Sequence, residues 1–124
     1  MREPLRDMER LEHMLTAIQH ATEYSKDISL DDLADDKMRY FAIVKNVEIV
    51  GEAAYMLSRE FKESHPDTPW KAIEGMRHFL VHGYYQVSDM KLWNTLQKDI
   101  PPLKQQIETY IGEGIHSKEA PESQ

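Results

Sequence analysis

The sequence predicts an all-α fold, an antiparallel up-and-down bundle of four to five helices, from three observations. Apolar residues recur at spacings of three and four, and no stretch shows the strict alternation of a strand. Prolines and glycines fall almost entirely where such stripes begin or end. The chain has 124 residues, about the length of one domain, and its 40% apolar content suffices for one packed core.

The first helix is expected from about Pro4 to Lys26, with the proline in its opening turn and a stripe of Met8, Leu11, Leu15, Ile18 and Thr22. Ser29 then opens an acidic connector in which Asp31 or Asp35 can cap the next element. A long second helix follows, from about Asp35 to Ser64, stopping before Pro66. It carries one stripe of Tyr40, Val44, Val47, Gly51, Ala54, Leu57 and Phe61 and a second of Ala42, Ile49 and Met56, widened by Ala53. So broad an apolar surface calls for covering on more than one side, by the bundle or by a second copy of the chain.

Thr68 and Pro69 read as N-cap and first residue of a third helix that bears Ala72, Ile73, Met76, Phe79 and Leu80 and ends near Gly83. Ser88 or Asp89 caps a fourth helix with Met90, Leu92, Trp93 and Leu96. Pro101 and Pro102 should interrupt it before a last stretch through Leu103, Ile107, Tyr110 and Ile111. The domain is expected to occupy residues 1–112, with 113–124 a flexible tail of small and charged residues.

Composition narrows the function classes. A net charge of −7 argues against wrapping nucleic acid over the whole surface. The charge is uneven, however. Five aspartates stand between Asp27 and Asp36, whereas Lys71, Arg77, Lys91 and Lys98 face only Glu74 and Asp89 between Pro69 and Lys98. A local basic pocket of this kind suits a small anionic target. With no cysteine there is neither a disulfide framework nor a thiolate metal site. No apolar run approaches the roughly 18 residues that span a bilayer, and the charged start, MREPLRDMER, is unlike a secretory signal. The expected compartment is the cytoplasm.

One segment concentrates reactive side chains: Arg77, His78, His82, Tyr84 and Tyr85 around an apolar Phe79-Leu80-Val81 centre. Cleavage of RNA through the ribose 2′-OH needs a proton acceptor, a proton donor and positive charge at the phosphorus. Histidine titrates near neutrality and serves as either acid or base. Arginine keeps its charge and offers a planar fork of donors to phosphate oxygens. Tyrosine can bond phosphate or stack on a base. On an ideal helix Arg77 and His82 stand about 140° apart, so they converge if the helix loosens at Gly83 or if a second subunit completes the site. Two alternatives stand beside this. Arg77 and His82 can simply terminate a helix, His82 answering its dipole, with Tyr84 and Tyr85 at the edge of the core. Glu74, His78 and His82, four apart, can also offer ligands to zinc, although Phe79 stands where a zinc protease motif places its glutamate.

The run Arg77-x4-His82-x-Tyr84, with His78 following the arginine, resembles the motif of the HepT ribonucleases of the HEPN type. Ile49-Val50-Gly51-Glu52-Ala53 with Leu57-Ser58 is similar to that family's second helix. Pro69-Trp70-Lys71-Ala72-Ile73 with Gly75-Met76-Arg77 is similar to its approach to the motif, and Ile100-Pro101-Pro102-Leu103 to the break in its final helices. The resemblance spans roughly residues 5 to 112. It implies a HEPN-like bundle that homodimerises and a metal-independent endoribonuclease toxin without cofactor, in which Arg77 and His82 are catalytic and His78 and Tyr84 support them. It further implies a cognate minimal nucleotidyltransferase antitoxin that transfers AMP to Tyr84, giving O-AMP-tyrosine beside Arg77. A non-catalytic HEPN module that holds a nucleotide or its partner is the alternative, and an inert helical scaffold a third.

Overall fold

The structure is a computed structural model that describes residues 2–78 and 89–119, with side chains described for 6–78 and 89–114. It is an all-α bundle, and no strand occurs among the described residues. No described helix is long and apolar enough to cross a membrane.

Helix α1 (Arg2–Tyr24) buries Leu11, Met14, Ala17, Ile18 and Ala21. Its core stripe is therefore rotated from the expected one: Met8 and Leu15 are half-buried and Thr22 is exposed. The Ser25 hydroxyl donates to the Ala21 carbonyl, and Asp27, at φ 62°, turns the chain in the left-handed region. The acidic connector is not irregular. It forms a short helix, α2 (Leu30–Asp35), closed by a capping box between Ser29 and Asp32, and Leu33 plugs it into the core. Asp36, rather than Asp35, caps α3 (Lys37–Met56) by accepting from the Arg39 amide.

Helix α3 is the spine. Ile43, Val44, Val47, Val50, Ala53 and Ala54 bury one face, chiefly against α1, the most extensive packing among the described elements. The expected unbroken run to Ser64 does not form: Leu57 and Ser58 are extended, and Ser58 caps a separate α4 (Arg59–Ser64). The cause lies on α1. Buried Asp7 accepts both the Ser58 amide, at 2.8 Å, and the Ser58 hydroxyl, at 2.7 Å, which draws that amide out of the helical ladder. The Ser58 oxygen in turn accepts from the Phe61 amide.

Thr68 is not an N-cap. Its buried hydroxyl bonds Gln106 and Tyr110 instead, and α5 (Trp70–Glu74) begins after Pro69 without a side-chain cap. Phe61, His65, Trp70 and Tyr110 form an aromatic cluster there, with the Trp70 indole donating to the His65 carbonyl. The chain resumes in α6 (Asp89–Asn94) and α7 (Ile100–Glu119), joined without a break by a π-type turn over Thr95–Asp99. The Ile100 amide reaches back five residues to the Thr95 carbonyl. Pro101 and Pro102 thus do not interrupt the helix. The widened turn before them relieves the clash of their rings with the carbonyls one turn earlier. Helix α7 packs on α1 through Leu103 and Ile107 and runs on past Gly112 to Glu119.

Candidate active site

The approach to the reactive segment tightens. After Glu74 the α-helix gives way to one 3₁₀ turn, Gly75–His78, which carries Arg77 and His78. This turn lies against α3, and the contact requires Gly51: a β-carbon there would strike the Arg77 amide nitrogen and stand 2.9 Å from the Met76 carbonyl carbon. The absent side chain of α3 sets the depth at which Arg77 sits. Met76 anchors the turn from below, 4% exposed.

The Arg77 side chain is half-buried. Its guanidinium carbon stands 3.5 Å from the centroid of the Tyr55 ring, one turn along α3 from Gly51. A cation over the face of a phenol ring is attracted by the ring's negative face. Arg77 Nε is buried and has no hydrogen-bond partner among the described residues. An arginine held over an aromatic ring keeps its charge, and its planar fork of donors suits an oxyanion.

A second network fixes the end of α3 beside it. Lys62 Nζ pairs with Glu74 Oε2 at 2.6 Å and donates to the Ala54 and Tyr55 carbonyls at 3.3 and 3.4 Å. The lysine thereby holds three things together: the C-terminus of α3, helix α4, and α5 just before the 3₁₀ turn. Its charge also suits the negative end of the α3 dipole. This pairing bears on the zinc alternative. Glu74 is committed to Lys62, and at about three residues per turn the 3₁₀ geometry carries His78 off the face that Glu74 occupies.

Of the residues that the sequence singled out, Arg77 and His78 are therefore adjacent on one turn against α3, with His78 half-buried. His82, Tyr84 and Tyr85 lie outside the described residues. Tyr55 and Lys62 were not anticipated. Tyr55 carries one local signal, its position four residues after Gly51 and hence on the same side of α3, whereas Lys62 carries none. A cavity of about 360 Å³ between α1, α4 and α7 is lined by Met8, Leu11, Phe61, His65 and Tyr110 among others, and touches neither Arg77 nor His78.

Comparison with known proteins joins this geometry to a family. The family model described as "Ribonuclease HepT-like" matches residues 14–110. The protein named "Putative RNase TTE0752" from Caldanaerobacter subterraneus is 41% identical over 101 residues, covering 82% of this chain and 90% of its own. "Probable ribonuclease HepT" from Thermococcus cleftensis is 38% identical over 98 residues, covering 79% and 89%. "Putative RNase MJ1380" from Methanocaldococcus jannaschii is 32% identical over 95 residues, covering 77% and 87%. No solved structure matches the chain significantly.

Proposed function

The chain belongs to the HepT-like ribonuclease family, and from that membership we propose that it is the endoribonuclease toxin of a toxin–antitoxin pair, acting in the cytoplasm as a homodimer. The observation that carries the reading is the Arg77 guanidinium, half-buried over the Tyr55 ring and without an ion pair among the described residues, a standing positive charge for a phosphate oxygen.

In the proposed reaction His82 of one subunit takes the proton from a ribose 2′-OH as that oxygen attacks the adjacent phosphorus. The bond to the 5′ oxygen breaks, and that oxygen takes a proton from the second imidazole of the pair, leaving a cyclic phosphate on the upstream fragment. Arg77 neutralises charge on the pentacoordinate phosphorus. None of these steps calls on a metal. His78 and Tyr84 support the site. Regulation follows from the same electrostatics: a cognate minimal nucleotidyltransferase antitoxin transfers AMP from ATP to the Tyr84 hydroxyl, releasing pyrophosphate. The added anion competes with RNA for Arg77.

The test is cleavage of RNA by purified protein in excess EDTA, with Arg77→Ala and His82→Ala beside wild type. The expected result is cutting by wild type alone. Equal cutting by all three proteins would remove the assignment. Stable binding of nucleotide or antitoxin with no cutting would instead establish the non-catalytic module.

A further inference from the structure

We propose that the outward face of α3 is the seam between two copies of this chain, paired antiparallel about a twofold axis that passes between Glu48 and Ile49. The inference rests on the homodimer in the functional reading and names its surface and register. Among the described residues, five of the seven exposed large apolar side chains stand on this helix, Met38 (86% exposed), Phe41 (50%), Ile49 (37%), Tyr55 (47%) and Met56 (48%), while Tyr24 and Met90 lie singly on α1 and α6. Positions 38, 41, 45, 49, 52 and 56 step by three and four and so form one stripe, opposite the face that packs on α1.

Charge decides which partner the stripe fits. Lys45 and Glu52 stand exposed in its middle and make no ion pair among the described residues. Apolar groups flank them on both sides, Met38 and Phe41 before and Tyr55 and Met56 after. A second copy running antiparallel sets Lys45 against the partner's Glu52 twice, at the centre. It sets Phe41 against the partner's Met56 and Ala42 against the partner's Tyr55 at each end. Parallel copies would instead stack Lys45 on the partner's Lys45, a like-charge contact. The stripe is therefore complementary to itself in one direction only, as an isologous interface requires.

The arrangement also bears on the site. A twofold axis across the helix pair leaves the same edge of both α3 helices on one side. Gly51, against which the Arg77 backbone rests, lies on that edge about 4 Å along the helix from the axis. The two Arg77 groups then open into one shared cleft.

The chain has no cysteine, which makes the register directly testable. Positions 41 and 56 of one chain are about 22 Å apart along α3, too far for an internal disulfide. The Phe41→Cys/Met56→Cys variant should therefore oxidise to a covalent dimer, while Phe41→Cys alone and Met56→Cys alone should not. Lys45→Glu and Glu52→Lys should each raise the dimer dissociation constant about tenfold or more, and their combination should return it to within about threefold of wild type. Sedimentation reads the constants and circular dichroism checks that each variant folds. The proposal is overturned by a monomeric wild type, by failure of the double-cysteine variant to cross-link, by equal cross-linking of Phe41→Cys alone, or by charge reversals without effect. An RNA-cleaving dimer that fails the cross-linking or charge-reversal tests loses this seam but keeps its ribonuclease reading, whereas a monomer that cleaves RNA loses both the seam and the homodimer.

Discussion

The backbone of Arg77 rests on the bare Cα of Gly51, close enough that one added carbon on α3 would strike its amide nitrogen. Two segments distant in the chain thus meet at a point where glycine is demanded by space rather than by dihedral angle. Gly51→Ala must push the 3₁₀ turn outward, and Arg77 with it. The obstacle is backbone, which yields less readily than a flexible side-chain end. The expected cost is about 1–3 kcal/mol of stability, with RNA cleavage lost beyond what unfolding explains. Gly75→Ala is the control, since nothing lies within 4 Å of a β-carbon there and its backbone is already helical. It should leave stability unchanged or raise it by about 0.4–1 kcal/mol. Denaturant melts and cleavage rates on both variants decide the matter.

The Tyr55 ring under the guanidinium should be worth about 0.5–2 kcal/mol to the orientation of Arg77. Tyr55→Ala should therefore slow cleavage roughly two- to thirtyfold, and Tyr55→Phe, which keeps the ring, should stay within about twofold. Rates are to be compared at protein concentrations that saturate the dimer, so that a change in association does not stand in for a change at the site. A Phe variant as slow as the Ala variant would assign the effect to the hydroxyl and reject the stacking role.

Helical periodicity made the bundle and the spine legible, because Val44, Val47, Gly51 and Ala54 repeat at the helical period and all are buried. Two of the departures share one cause: a partner remote in sequence. The break at Ser58 is imposed by Asp7, fifty-one positions away. Thr68 has the form of a cap, yet its hydroxyl is drawn to Gln106 and Tyr110. The paired prolines signalled a disturbance, but the backbone absorbs it in the turn before them. At the site, Arg77 and His78 could be picked out by type and spacing. Tyr55 beneath the arginine and Lys62 behind it could not, because only the tertiary contact gives those residues their roles.

Tyr40 supplies a pH dependence. Burial lifts its phenol above the usual value near 10, and the negative charge of Asp89 lifts it further. The folded protein thus holds the phenolic proton more tightly than the unfolded chain does. The associated stability is complete below the unfolded pKa and is lost as pH rises through the higher folded one. Tyrosinate absorbance should show one group titrating late that is missing in Tyr40→Phe. Asp89→Asn should bring that group down without returning it to the ordinary value, since burial remains. An unchanged titration in Asp89→Asn would remove the aspartate from the account.

The Lys62–Glu74 pair should behave as a clamp rather than as a surface ion pair. Its side chains are only 18% and 23% exposed, and the lysine also serves two carbonyls at the end of α3. Lys62→Met strands a largely buried carboxylate, which should cost about 1–3 kcal/mol. Glu74→Gln keeps an acceptor for the ammonium and should cost less. The double variant Lys62→Met/Glu74→Leu removes both charges at once, and because uncharged replacements need no partner it should be more stable than Lys62→Met alone. A double-mutant cycle by urea denaturation measures that coupling. Strictly additive losses would mean that the two charges do not act on each other, and α5 would then need another anchor to hold the turn that bears Arg77.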